Sequence, residues 1–173
     1  MQTRYSATAK FAHWLIFILV VAQYIAARNM GNHNPGQPVD AASNVHASIG
    51  VLIVALALWR LLARLSSPVA PSPEIPRWQQ IAGHAVHKSL YLLLIAMPIF
   101  GLLAAANEGA QFTLFGMFVL PSLVQPESAL GEFGEKAHEI LAPIIFLVVA
   151  LHVAAALFHR FVRRDGVLAR MLP

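Results

Sequence analysis

Four stretches of the chain are long and apolar enough to cross a lipid bilayer, at about residues 11–27, 46–65, 87–106 and 137–158. A bilayer core takes ~20 residues of helix at a rise of about 1.5 Å per residue. Lipid offers no hydrogen-bond partner to an open backbone, so each stretch is expected to be a helix that satisfies its own amides and carbonyls. The expected fold is all-α, an integral membrane four-helix bundle formed by a single domain over residues 1–173. Composition agrees: hydrophobic residues make up 58% and charged residues 12%, against roughly 45–50% and 25% in soluble domains. Such a surface suits lipid better than water. Pro98 and Pro143 fall inside the third and fourth stretches, where membrane helices tolerate proline as a kink. The first stretch exceeds the ~7–15 residues of a signal-peptide core and carries His13 and Trp14, so it is expected to remain as an uncleaved span.

The connectors differ in kind. SSPVAPSPEIPRW, with prolines at 68, 71, 73 and 76, reads as a turn-rich link between the second and third spans. The segment from about Asn107 to Lys136 is longer, and its FTLFGMFVLP is apolar but too short to span, so it is expected to lie at the membrane surface or to cap the bundle. Ten of the twelve Lys and Arg residues flank the N-terminus, the second connector and the C-terminal tail, leaving Arg28 and Lys136 on the other side. The positive-inside rule then puts both termini in the cytoplasm. Trp14, Trp59 and Trp78 fall near the same boundary, as interfacial anchors do. The net charge of +4 comes from these scattered flanks and forms no basic stripe, so no nucleic-acid partner is expected. There is no cysteine. Disulfides, thiolate clusters and thioether-linked haem are therefore excluded.

The eight histidines carry the chemistry. Ionisable side chains inside a membrane are costly and mark function more often than packing when several recur together. His13 lies near the inner end of the first span, and His84 and His87 lead into the third span from the same side. His46 and His138 open the second and fourth spans at the outer face, His152 is deep in the fourth, His159 is near its inner end, and His33 is in the first outer loop. His138 and His152 are fourteen residues apart, almost four turns at about 100° per residue, so they share a face and stand roughly 21 Å apart along the axis. Two cofactors stacked near opposite membrane faces need this arrangement. Iron held by two neutral imidazoles has both axial positions filled, which favours electron transfer over oxygen binding. His46 and His138 form the natural outer pair. For His152 both His13 and His87 qualify by depth. Small residues beside the ligands, Ala47, Ser48 and Gly50 after His46 and Ala154, Ala155 and Ala156 after His152, leave bare helix surface for a flat macrocycle, although small residues also serve close helix packing.

Five motifs, taken together and in order, resemble the bacterial cytochrome b561 family: YSATAKFAHWLIF, NVHASIGVLIVALALWRLLARL, HAVHKSLYLLLIAMPIFG, KAHE, and LHVAAALFHRF with the tail VLARMLP. The resemblance implies a di-haem b cytochrome of the bacterial inner membrane, with His13 paired to His152 and His46 to His138 as haem ligands. It leaves His87 to support the ligands or to bind quinone. It further implies electron exchange with ubiquinone at the cytoplasmic side, and in some members oxidation of superoxide on the periplasmic side. His87, Lys88, His159 and Arg160 are the candidate quinone site, with His159 favoured because it follows His152 by two turns on a similar face. Arg160 also serves as a positive-inside anchor. An anion such as superoxide should be steered by positive charge, yet the second outer loop carries Glu108, Glu127, Glu132 and Glu135 against Lys136. Another periplasmic donor therefore stays open. The alternative readings are the membrane-anchor cytochrome b subunit of a dehydrogenase or hydrogenase complex, and a histidine-lined ion transporter.

Overall fold

The computed structural model describes residues 5–32, 34–69 and 75–172. Arg4, His33, Pro71 and Pro73 lie outside them. Four long helices carry the fold: α1 (Ala7–Arg28), α2 (Ala41–Ser66), α3 (Arg77–Asn107) and α4 (Ala129–Phe158). All four are long and apolar enough to cross a membrane. Large apolar side chains such as Phe11, Leu62, Leu92, Phe146 and Leu151 stand exposed along them, as lipid-facing positions do.

Each helix begins earlier than its apolar stretch. The extra turns are polar or mixed in composition, so hydropathy gives no signal there. Local capping sets the starts: Ser6 accepts from Ala9 N, Asp40 from Ala42 N and Ser43 N, and Ser128 from Gly131 N. The Asp40 carboxyl is held down to about 2, chiefly by the Ser43 hydroxyl. Pro76 stands before α3, where its missing amide has no cost. α3 and α4 run unbroken through Pro98 and Pro143.

The helices pack in chain order, α1 on α2, α2 on α3, and α3 on α4. The α3–α4 seam is closest, because Gly131 and Gly134 face it. A Cβ at Gly134 would overlap Leu103 Cβ, and one at Gly131 would lie 2.5 Å from Asn107 Oδ1. Small residues let membrane helices approach in this way. α1 and α4 meet through Tyr24 and Phe146, whose rings stack 5.5 Å apart.

The segment between α3 and α4 forms a small antiparallel hairpin, β1 (Thr113–Leu114) and β2 (Phe118–Val119). It caps the end of the bundle away from the termini. Its tip turns through Phe115 and Gly116, both at positive φ. Two backbone amides pin it to α2: Thr113 N donates to Asn44 Oδ1 at 2.6 Å and Phe115 N to Ser48 Oγ at 2.8 Å. At the opposite end the C-terminal tail folds back on α1, with Lys10 Nζ donating to Leu172 O and Trp14 Nε1 to Met171 O.

Candidate functional site

Five helical histidines gather at two levels of the bundle. At the hairpin end, α2 presents His46 and α4 presents His138, with ring centroids 6.2 Å apart. At the termini end, α1 presents His13 and α4 presents His152 at 6.0 Å, and His87 of α3 stands 5.3 Å from His152. The two levels are set by the fourteen-residue interval on α4.

The hairpin-end pair is held by backbone. His46 Nδ1 lies 3.3 Å from Gln23 O and His138 Nδ1 lies 3.0 Å from Met97 O. A carbonyl oxygen only accepts, so both Nδ1 atoms carry the proton and both Nε2 atoms keep a free lone pair. That is the tautomer a metal-binding imidazole needs, with the ring oriented from behind. Gly101 of α3 closes against the His138 ring, since a Cβ there would lie 3.0 Å from Cε1 and 3.1 Å from Nδ1.

Both rings open onto one cavity of about 450 Å³. Its walls are almost wholly apolar and include Val20, Ala47, Gly50, Leu94 and Ile145, with Phe112 and Leu120 beside the hairpin. The volume falls within the roughly 300–1,000 Å³ typical of cofactor and ligand sites. Two imidazoles that each hold one metal through a nitrogen at about 2 Å place their centroids about 6 Å apart. Donor type, tautomer, spacing and wall chemistry therefore fit a porphyrin iron. Among the described residues no group of three or more His, Asp and Glu side chains could hold a bare metal ion.

At the termini-end level, the His13–His152 spacing matches that of the other pair, and His87 lies closer to His152. His87 Nδ1 is buried without a hydrogen-bond partner among the described residues. Lys88 and Arg160 are exposed. His159 opens a π-helical turn, His159–Arg163, that ends α4. Its Nδ1 lies 2.5 Å from Asp165 Oδ2, and the carboxylate is only 6% exposed. Burial pushes the Asp165 carboxyl up, but the hydrogen bonds from His159 and Val167 N outweigh it and hold it below the usual carboxylate range. Arg164 at φ 54 reverses the chain so that Asp165 returns to His159. The structure thus brings His13, His87 and His152 together and gives His159 its own partner.

Sequence reasoning missed Asp165, the backbone carbonyls of Gln23 and Met97, and Gly101. Only the Asp165-Gly166 turn signal was there to find. Of the small residues beside His46, Ala47 and Gly50 line the cavity, while Ser48 holds the hairpin. Glu108 lines the cavity, but Arg28 and Lys136 are not on its wall.

The family described as prokaryotic cytochrome b561 matches residues 4–173. The chain is 31% identical to "Cytochrome b561 homolog 1" of Escherichia coli (strain K12), over 99% of this chain and 98% of that protein. It is also 31% identical to "Probable superoxide oxidase CybB" of Yersinia pestis, over 100% and 98% of the two chains. It is 27% identical to "Cytochrome b562" of Cereibacter sphaeroides, over 92% and 89%.

Proposed function

Because the chain belongs to the prokaryotic cytochrome b561 family, whose members bind haem b and transfer electrons in membranes, we propose that it is a di-haem oxidoreductase. In this reading residues 1–173 form a single four-helix domain of the bacterial inner membrane, with both termini cytoplasmic. His46 and His138 hold an outer haem, and His13 and His152 hold an inner one. Electrons pass from a periplasmic donor to ubiquinone. The observation that carries the reading is the repeat of one ring spacing, 6.2 and 6.0 Å, at two levels of the same helix.

When bound by His46 with His138 and by His13 with His152, haem would supply one-electron redox chemistry. The chain's own part is to orient the ligands and exclude water. The Gln23 and Met97 carbonyls fix the outer imidazoles. The hairpin closes the outer cavity beside Phe112 and Leu120. The quinone site is assigned to the cytoplasmic end. His159, with Nδ1 turned to Asp165, leaves Nε2 to face the quinone head, where it donates to a quinone carbonyl when that nitrogen also carries a proton and passes the proton on. His87 offers a second buried ring nitrogen. Lys88 and Arg160 supply positive charge against the developing negative charge of the quinone head, and Arg160 also anchors the inner boundary.

Superoxide is the proposed donor, in line with the name of the Yersinia pestis relative. Two superoxide anions would give up one electron each to form two molecules of oxygen, and one ubiquinone would take both electrons with two protons. The second reading is a protein donor, which would make the chain the membrane anchor of a dehydrogenase. It is favoured by the acidic balance just before and within the first turns of α4, where Glu127, Glu132 and Glu135 stand against Lys136.

Rapid-mixing spectroscopy tests the quinone site. His159→Ala should slow haem oxidation by ubiquinone at least tenfold while leaving the haem spectra intact. Unchanged quinone kinetics in both His159→Ala and His87→Ala would remove the site from this end.

A further inference from the structure

α2 repeats the interval that sets the two levels on α4. Fourteen residues separate His138 from His152, and fourteen residues after His46 α2 carries Arg60. Nearly four turns place Arg60 on the His46 face of α2, roughly 21 Å further in. At the inner level, then, α1, α3 and α4 present imidazoles and α2 presents a guanidinium.

The guanidinium is only partly satisfied. NH1 donates to Tyr91 Oη at 3.1 Å, and Tyr91 follows His87 by one turn of α3. Nε is buried with no partner among the described residues. The sequence provides no carboxylate nearby, since it has no Asp or Glu between residues 41 and 73, between 75 and 107, or between 140 and 164. A buried guanidinium nitrogen without an acceptor is costly, and the Nε edge is one side of the planar fork that binds carboxylates in two-toothed fashion. Haem b carries two propionate carboxylates.

We propose that Arg60, supported by Tyr91, binds a propionate carboxylate of the inner haem. This rests on the two-haem reading of the function. The bond would keep that carboxylate ionised and neutralise it. Without Arg60, a naked carboxylate beside the iron would favour the more positive ferric state, so the potential of the inner haem would fall.

The test uses the purified full chain with Arg60→Gln and Arg60→Lys. Haem per chain, an optical redox titration that resolves the haems, and redox-difference infrared spectra with ¹³C-labelled propionates are recorded. In Arg60→Gln the inner haem should be lost roughly tenfold or more readily on detergent washing. Its midpoint should shift downward and its carboxylate bands should move, while the outer haem stays unchanged. Arg60→Lys should recover part of the midpoint but still shift the bands, because an ammonium lacks the fork. Two retained haems with an unshifted inner midpoint and unshifted carboxylate bands in Arg60→Gln would overturn the assignment and leave the two-haem reading standing. Should that variant not accumulate, unshifted bands in Arg60→Lys would overturn it equally. Fewer than two haems in the unaltered chain would overturn the two-haem reading itself.

Discussion

Gly101→Ala should loosen the outer haem by displacing the His138 ring. The new Cβ would stand 3.0 Å from Cε1 and 3.1 Å from Nδ1 of His138, and that ring is already fixed from behind by Met97 O. To reach ordinary contact the ring must move by a few tenths of an ångström, which strains the Nδ1–H···O bond. Overpacking costs about 1–3 kcal/mol, and a weakened hydrogen bond about 0.5–1.5 kcal/mol. The alanine returns up to about 1 kcal/mol of helix propensity. The balance is about 2 kcal/mol against the site, or roughly a thirtyfold weaker hold on the outer haem. Gly83→Ala is the control on the same helix, because nothing lies within 4 Å of its new Cβ. The assay is haem per chain with the reduced-minus-oxidised spectrum after extended detergent washing. Gly101→Ala should lose the outer haem and keep the inner, and Gly83→Ala should keep both. Two fully retained haems with unaltered spectra in Gly101→Ala would refute the reasoning.

Ligand deletions should separate the two levels: His46→Ala or His138→Ala removes the outer haem alone, and His13→Ala or His152→Ala the inner alone. His87→Ala should keep both, and loss of the inner haem in that variant with His13→Ala unaffected would reverse the inner pairing. Asp165→Asn should slow ubiquinone reduction as His159→Ala does while sparing the haem spectra, and wild-type kinetics in that variant would show that the carboxylate does not orient the imidazole. The Asp165 carboxyl lies lower in the folded chain than its unfolded value of about 3.9. Its contribution to holding the tail is therefore complete above that value and is lost as pH falls through the lower folded one. Proteolysis of the tail at Arg163 and Arg164 by an acid-stable protease should stay slow down to about pH 4 and rise below it, and Asp165→Asn should abolish that dependence.

The spans are legible because ~20 apolar residues have one low-cost conformation in lipid. Their ends are not: Arg77–Val86 and Ala129–Lys136 are helical in the structure yet mixed in hydropathy, and their starts depend on caps such as Ser128. The hairpin reads in the sequence only as a segment too short to span, since its place is fixed by Asn44 and Ser48, some seventy residues away along the chain. The levels of His46, His138 and His152 follow from helical period and depth. The choice between His13 and His87 does not, because it depends on how α1 and α3 approach α4. Asp165 needs the π-helical turn and the left-handed Arg164 to reach His159, and neither has a strong local signature. The Arg60 interval is present in the sequence, but an arginine at the inner boundary reads first as a positive-inside anchor.

Cofactor stoichiometry tests the central claim most directly. The chain purified from cells supplied with ample haem should carry two haems b per polypeptide by extraction and protein assay. Both should be released by acid acetone, because no cysteine is present to bind them covalently, and the reduced protein should show sharp low-spin bands. One haem per chain, or none, under those conditions would contradict the account.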